Sequence, residues 1–251
     1  MKKLLIIPAF LLSFLIFSCS EDDDKAPAEP YSDIPVVSET KTGNGFYYKE
    51  FFQEIASPET RKGIVILAHG DGTDENDGLL NDQCTALAQN GYVAITTSYA
   101  TQADANLAEI NQLFQQNIEQ VILHSTTDYG ITRNKVVIGG ASRGGNNTFA
   151  LVLPGQTGIN PIAGIKGVIL ECSGGDTWKG SALLFPTAYM SNLNDNIMGT
   201  NANDFKSGLE NNNNPGVKTA SECLIINGTG HCTDASKYKA FVVKKVKEWL
   251  P

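Results

Sequence analysis

The sequence has fewer basic residues than acidic ones, and no basic patch stands out. Its 251 residues include 19 Lys and Arg against 27 Asp and Glu, which gives a formal net charge of −8. Because proteins that bind nucleic acid present a basic surface to the phosphates, nucleic acid is excluded as a partner. The sequence also lacks internal repeats, and its length suits one domain with a sizeable core.

Also missing is any apolar run long enough to form a stable membrane span. The one sustained run, Leu4–Phe17, follows Lys2 and Lys3 and is too short for a transmembrane helix. A charged start followed by a short apolar stretch is typical of a secretory signal. Residues 1–18 are therefore predicted to be a signal peptide.

The residues that end this run resemble a bacterial lipobox. Ile16-Phe17-Ser18-Cys19 predicts that Cys19 is lipidated and becomes the first residue of the mature protein, with plain secretion as the alternative. Ser20-Glu21-Asp22-Asp23-Asp24 resembles the export signal of Gram-negative surface lipoproteins, unless it is only a solvated tether. Residues 19–40 are expected to be a flexible, acidic, lipidated tether. We expect a monomer at the outer membrane or cell surface, attached only through Cys19, with the leaflet left open.

Only four cysteines follow the predicted lipidation site, namely Cys84, Cys172, Cys223 and Cys232. An exported chain meets oxidising conditions, so disulfides are possible, and four cysteines allow three pairings. A Cys223–Cys232 bond would have to bridge a strand of roughly 17 Å, whereas a disulfide needs Cα atoms within about 7 Å. Because Cys172 and Cys232 both fall at strand ends, a bond between them is favoured, and free buried thiols are the alternative.

Apolar runs rich in Val and Ile recur along the chain and predict strands. They are Gly63–Gly70, Tyr92–Tyr99, Lys135–Ser142, Lys166–Ser173, Cys223–Gly230 and the weaker Pro186–Leu193. Continuous runs of this kind are typical of parallel strands buried on both faces. Residues Gly43–Ile55 are predicted to form antiparallel strands that open the same sheet.

Amphipathic segments lie between the predicted strands. The predicted helices are Asp77–Gln89, Asp104–Leu123, Ser142–Leu153 and Ser236–Leu250. The alternation predicts an α/β fold with a mostly parallel central sheet and helices on both faces. Ligands of such sheets bind beyond the carboxyl ends of the strands, so polar residues at those ends are candidates for a functional site.

Ser142 lies at one such strand end. Gly140-Ala141-Ser142-Arg143-Gly144 matches G-x-S-x-G, the pattern of a nucleophilic serine on a sharp turn between a strand and a helix. The two glycines permit the bend, and the N-terminus of the following helix favours a developing anion. A purely structural glycine-rich turn is the alternative.

The scarcity of histidine narrows the choice of a base for Ser142. His69 lies in a tight turn that precedes Ser142, and His124 lies near a helix end, where a surface position is expected. His231 follows the last predicted strand, which is the position of the base when the order is serine, acid, histidine. We therefore predict that His231 is the general base.

The acid that orients the histidine is predicted to be Asp195. It follows the weak strand Pro186–Leu193 and lies between Ser142 and His231 in the sequence, as this order requires. Three other carboxylates remain as alternatives, namely Asp176, Glu171 and Asp204.

A pair of backbone N–H groups is expected to bind the negative charge that develops on the substrate oxygen. The N–H of Arg143, directly after the serine, is one predicted donor. The loop His69-Gly70-Asp71-Gly72 is predicted to supply the other from Asp71, with Gly72 as its substitute. A simple glycine turn is the alternative for this loop.

The three motifs H-G-D-G, G-A-S-R-G-G and G-T-G-H, in this order, resemble those of α/β-hydrolase-fold serine esterases. The dienelactone-hydrolase-like and polyester-hydrolase (cutinase-like) branches are the most similar, although dienelactone hydrolases have cysteine where this chain has Ser142. The resemblance covers roughly Gly45 to the C-terminus. It implies that residues 41–251 hydrolyse carboxylic esters through an acyl-enzyme, without a metal or organic cofactor. The alternatives are a lipase or peptidase on the same fold, a non-catalytic binding lipoprotein and a structural envelope lipoprotein.

The segment between Glu171 and Pro186 is too short to hold a cap domain. An uncapped site is open and suits bulky or polymeric esters. Trp178 in this segment is a candidate for lining the substrate pocket, and a surface-packed tryptophan is the alternative. The asparagine-rich stretch Asn192–Asn214 is expected to be a flexible loop rather than a polar rim that recognises sugars.

Overall fold

The computed structural model describes residues 34–54, 60–99 and 106–251. The predicted signal peptide, Cys19 and residues 19–33 of the predicted tether lie outside the described residues. The same holds for Ile55 and Asp104, which end and begin two predicted elements. Across the described ranges, no helix combines the length and the apolar character needed to cross a bilayer.

Nine strands of the described chain form one mixed sheet. They are β1 (Val36–Thr42), β2 (Tyr47–Gln53), β3 (Ile64–Ala68), β4 (Val93–Thr97), β5 (Val136–Ala141), β6 (Gly167–Glu171), β7 (Thr187–Asp195), β8 (Thr200–Asn201) and β9 (Glu222–Thr229). The order across the sheet is β1-β2-β4-β3-β5-β6-β7-β9, and β8 pairs with the last two residues of β7. Six strands, β4, β3, β5, β6, β7 and β9, run parallel to one another. The remaining pairs, β1 with β2, β2 with β4 and β7 with β8, are antiparallel.

Helices cover both faces of this sheet, as the sequence predicts. They are α1 (Gly78–Ala88), α2 (Leu107–Tyr129), α3 (Arg143–Val152), α4 (Thr177–Ala182), α5 (Ala202–Glu210), α6 (Pro215–Ala220) and α7 (Ala235–Trp249). Alternate residues of β3 enter different cores: Ile64 and Ile66 pack with α2 and α3, while Val65 and Leu67 pack with α1 and α7. Every residue of β3, β4, β5 and β6 is buried, which explains why these strands are continuously apolar.

The ordered domain begins earlier than predicted. Residues 36–40, assigned to the flexible tether, belong to β1, which pairs with β2 from Val36↔Gln53 to Thr42↔Tyr47. The predicted boundary at residue 41 is therefore wrong. The polar composition of β1 hid this strand, because its side chains are half-buried or exposed at the edge of the sheet.

The second helix also ends later than predicted. It runs six residues past Leu123 to Tyr129 and stops at Gly130, whose φ of 65° is the left-handed conformation that glycine adopts readily. At its start, the side chain of Asn106 accepts a hydrogen bond from the backbone N–H of Glu109, and the Glu109 carboxylate accepts one from the backbone N–H of Asn106.

The expectation of a flexible loop over Asn192–Asn214 is wrong. This stretch completes β7 and then forms β8 and α5. Asn201 caps α5 by accepting a hydrogen bond from the N–H of Asn203 at 2.9 Å. Phe205 is fully buried and stacks on Tyr189 with ring centroids 4.1 Å apart. A few apolar residues at helical spacing thus outweigh the surrounding asparagines.

Candidate active site

Ser142 occupies a strained turn between the end of β5 and the start of α3. Its φ of 52° and ψ of −116° are uncommon for a residue other than glycine. Gly140 is needed for this bend, since a Cβ there would lie 2.6 Å from the carbonyl carbon of Gly144 and 2.7 Å from the carbonyl oxygen of Ala68. The Ser142 N–H donates to the Glu171 carbonyl of β6 at 2.7 Å, which anchors the turn to the sheet.

The structure brings Ser142, His231 and Asp195 into one hydrogen-bonded chain. The Ser142 Oγ lies 2.8 Å from His231 Nε2, and His231 Nδ1 lies 2.8 Å from Asp195 Oδ2. A carboxylate can only accept, so His231 carries its hydrogen on Nδ1 and offers the Nε2 lone pair to the Ser142 hydroxyl. A neutral imidazole in this orientation can take the proton of the serine.

Asp195 is the last residue of β7 rather than a residue that follows the strand. Its side chain is buried, and its Oδ1 accepts hydrogen bonds from the N–H groups of Ile197 and Met198, both at 3.0 Å. These two donors hold the carboxylate with Oδ2 turned toward His231.

The carboxylate that bonds to His231 is that of Asp195, and the other three candidates lie in different surroundings. Asp176 caps α4 by accepting a hydrogen bond from the N–H of Lys179 at 2.7 Å. Glu171 is fully buried and accepts from Gln83 Nε2 at 2.7 Å, and Asp204 is exposed in the first turn of α5.

A disulfide fixes the loop that carries His231. Cys172, directly after β6, is bonded to Cys232 with a Cα–Cα distance of 5.5 Å. This confirms the pairing that the strand-end positions favour, and it leaves Cys84 and Cys223 as free thiols.

A second tether of the His231 loop is absent from the sequence-based prediction. The buried Asn192 of β7 donates from Nδ2 to Thr233 Oγ1 at 2.8 Å, and Thr233 Oγ1 returns a hydrogen bond to Asn192 Oδ1 at 3.1 Å. The signal that could have revealed it is an amide side chain in a strand that the sequence places inside the sheet. Such a group needs a hydrogen-bond partner when it is buried.

The loop predicted to bind the oxyanion lies against the serine. A Cβ on Gly70 would be 3.2 Å from the Ser142 Cβ, so this loop passes beside the nucleophile. Asp71 and Arg143, the two predicted N–H donors, are linked by an exposed ion pair of 2.8 Å between Oδ1 and Nη1. The Gly72 substitute has a φ of 77° in the same turn.

His69 contacts the backbone of this loop and packs against Tyr99. Its Nδ1 lies 2.6 Å from the carbonyl oxygen of Gly70, and its ring stacks on Tyr99 at a centroid distance of 4.6 Å. Burial raises the pKa of Tyr99 to about 12, so its hydroxyl stays protonated and donates to the His69 carbonyl at 3.3 Å.

His124 is half-buried rather than a surface residue. The Tyr48 hydroxyl of β2 lies 3.1 Å from His124 Nδ1, so this imidazole pairs with β2 rather than with the serine. Within the residues that the structure describes, no group of three or more His, Cys, Asp or Glu side chains is arranged to hold a metal ion.

Trp178 is 55% exposed on α4. It forms part of a groove that also includes Asn146 on α3. The segment between β6 and β7 contains only this six-residue helix, and no separate cap domain is evident in the described chain.

No protein-family model and no curated protein matches the sequence. Several solved structures are similar to this chain in their fold. Esterase 2 of the planctomycete Thermogutta terrifontis, bound to propionate, superposes with a TM-score of 0.59 at 16% identity, over 89% of this chain and 95% of that one. Esterase B of Lactobacillus rhamnosis has a TM-score of 0.57 at 15% identity, over 85% of both chains.

An esterase of Pyrococcus furiosus has a TM-score of 0.58 at 12% identity, over 87% of this chain and 94% of that one. At these identities the likeness concerns the fold. Together with the strand order and the flanking helices, it establishes an α/β-hydrolase fold, with no separate cap domain in the described residues.

Proposed function

We propose that this protein is a serine hydrolase that cleaves carboxylic esters through an acyl-enzyme. The observation that carries the proposal is the unbroken chain from Ser142 through His231 to Asp195, with both hydrogen bonds at 2.8 Å. The structural neighbours support it, since all three are esterases by name. The esterase of Thermogutta has also been described as phosphonylated by cyclosarin and phosphorylated by paraoxon.

In the proposed reaction, Ser142 Oγ attacks the ester carbonyl while His231 Nε2 takes its proton. Asp195 holds the ring and stabilises the imidazolium. The backbone N–H groups of Arg143 and Asp71 bind the oxyanion. His231 then protonates the leaving alcohol, and the acyl group remains on Ser142. Water, deprotonated by His231, releases the acid and restores the serine.

The surroundings of the serine support an open site. Ser142 and His231 are half-exposed, and Arg143 is exposed at the surface beside them. Only α4 is inserted between β6 and β7. We therefore propose that bulky or polymeric esters reach the serine. We also propose that the domain acts as a monomer.

Covalent labelling tests the proposal. A fluorophosphonate should label the wild-type protein at Ser142, and 4-nitrophenyl acetate should be hydrolysed. Ser142→Ala should abolish labelling and lower kcat by about 10⁴-fold or more, because the nucleophile is gone. Ser207→Ala, at an exposed position of α5, is the matched control and should behave as wild type.

Labelling at another serine, or equal hydrolysis by wild type and Ser142→Ala, would contradict the assignment of the nucleophile. A complete lack of labelling and of ester hydrolysis by the wild-type protein would favour a non-catalytic binding protein instead.

For the N-terminus we propose a lipid on Cys19 that attaches the domain to the outer membrane or cell surface. The lipobox-like sequence and the acidic residues after it support this. Metabolic labelling of cells with an alkyne fatty acid should mark the wild-type protein and not Cys19→Ala. Equal labelling of the two would refute lipidation at this residue.

A further inference from the structure

A groove of about 440 Å³ runs along α3, and Asn146, one helical turn after Ser142, is part of its lining. Its walls are the first turns of α2, the outer side of α3, residues 174–179 and the turn after β7. Asn146 stands at the near end: its N–H donates to the Ser142 carbonyl at 2.9 Å, and its Oδ1 accepts from the N–H of Gly174 at 3.0 Å. Four residues of helix advance by about 6 Å, so a ligand in the groove lies within reach of the serine.

Uncharged polar and apolar side chains share this groove about equally. Four amide side chains line it, on Asn111, Asn146, Asn147 and Gln156. The exposed apolar side chains of the lining include Trp178, with its indole, and Leu107. The lining thus combines hydrogen-bond donors and acceptors with one flat aromatic surface.

The charged groups of the lining are Asp176 and Lys179, and each is occupied within the wall. Asp176 accepts from the N–H of Lys179, while the Lys179 Nζ donates to the Gly174 carbonyl and lies 4.9 Å from the centroid of the Phe149 ring. Burial lowers the pKa of Lys179, which further weakens it as a partner for anions. The two formal charges cancel, so the groove favours a neutral ligand.

The chemistry of the lining narrows the ligand class further. Asn111 donates to the Thr157 carbonyl and Asn146 accepts from the Gly174 N–H, so these two amides are already paired. An extended alkyl chain would leave the amides of Asn147 and Gln156 without partners, which is costly once water is displaced. A sugar ring suits both kinds of surface, because its hydroxyl groups both donate and accept, as amide side chains do. Its C–H face can cover an indole ring. The volume also lies within the usual range of small-molecule sites, about 300–1,000 Å³.

We propose that this groove binds the neutral carbohydrate part of the ester, so that the natural substrate is an acylated saccharide whose ester carbonyl lies at Ser142. The inference rests on the ester hydrolysis proposed above for the same site. Within it, Trp178 provides the surface on which a sugar ring stacks, and the amides of Asn147 and Gln156 bind the hydroxyl groups.

Binding without turnover tests the groove by itself. The Ser142→Ala protein is titrated by calorimetry with xylohexaose, cellohexaose and mannohexaose, which carry no ester. At least one of them should bind. Adding Trp178→Ala should raise the Kd for that saccharide by about tenfold, because stacking on the indole is lost. The control is Tyr47→Ala, which removes an aromatic side chain that is 53% exposed and is not part of the groove lining, and it should leave Kd unchanged. Failure of all three saccharides to bind, or an unchanged Kd in Trp178→Ala, would overturn the proposal.

Turnover separates the groove from the serine. In the otherwise wild-type protein, Trp178→Ala should raise KM for acetylated xylo-oligosaccharides by about tenfold and leave kcat/KM for 4-nitrophenyl acetate within about twofold. A selective loss on long-chain 4-nitrophenyl esters would show instead that the groove binds an alkyl chain. Saccharide binding without any ester hydrolysis would overturn the proposed reaction and leave the groove standing. Ester hydrolysis without saccharide binding would overturn only the groove.

Discussion

Replacing Glu171 by glutamine tests whether a carboxyl group buried beside the serine turn holds a proton in the folded protein. The Glu171 side chain is fully buried. Its Oε2 accepts a hydrogen bond from Gln83 at 2.7 Å, while its Oε1 has no partner. Burial raises the pKa of Glu171 to about 8, a shift that the hydrogen bond from Gln83 reduces and the charge of Asp77 increases.

Because the pKa of Glu171 is raised in the folded protein, the free energy of unfolding should decrease as the pH rises. Between its ordinary value of 4.5 and about 8, the folded protein keeps a proton on Glu171 that the unfolded chain has released. The free energy of unfolding therefore falls as the pH rises through this range. At 1.36 kcal/mol for each pH unit, the contribution is on the order of 5 kcal/mol, and it is present in full only below about pH 4.5.

Urea unfolding of the wild-type protein and Glu171→Gln at pH 5, 6.5, 8 and 9 measures this effect. Glutamine has the shape of the protonated acid and does not titrate. The wild-type protein should lose stability relative to the variant as the pH rises, and the difference should level off above about pH 8. Glu210→Gln, at an exposed position of α5, should follow the wild type throughout. Parallel curves for wild type and Glu171→Gln would refute the reasoning, since Glu171 would then be ionised in both states.

Two further predictions concern stability. Replacing both Cys172 and Cys232 by alanine should lower the free energy of unfolding by about 4 kcal/mol, because the bond closes a loop with a sequence separation of 60 residues. Urea unfolding would measure this, the wild-type protein in reducing buffer should show the same loss, and a loss below about 1 kcal/mol would contradict the estimate. Phe205→Ala should cost about 3–5 kcal/mol, because the ring is fully buried, stacks on Tyr189 and meets Phe149 edge-on. Phe205→Leu should lose clearly less in the same assay, and equal losses would argue against ring packing as the cause.

The alternation of strands and helices could be predicted because burial leaves a direct mark on the sequence. The interior strands β3 to β6 are covered on both faces and read as continuous apolar runs. Where an element is only partly buried, this mark is weak. The first strand is polar because it lies at the sheet edge, and α5 is surrounded by asparagines although Phe205 and Leu209 are core residues.

The site could be predicted as far as it depends on strand ends. In a parallel sheet the carboxyl ends of neighbouring strands meet at one edge, so Ser142 after β5 and Asp195 at the end of β7 could be placed together, and His231 after β9 with them. Contacts between side chains of different loops have no such rule. The Asn192–Thr233 hydrogen bonds and the Asp71–Arg143 ion pair depend on how loops close over the edge, and no periodicity encodes that.

The histidine loop is held more firmly than a surface loop requires. Three separate restraints act on it: the Cys172–Cys232 bond next to His231, the Asn192–Thr233 pair one residue further on, and the hydrogen bond from His231 to Asp195. The serine turn is held by the hydrogen bond from the Ser142 N–H to the Glu171 carbonyl of β6. Proton transfer requires the two groups to meet at hydrogen-bond distance, and a strained turn such as that of Ser142 persists only when its surroundings over-determine it. The convergence of restraints on both partners therefore favours a site organised before substrate arrives over one assembled by binding.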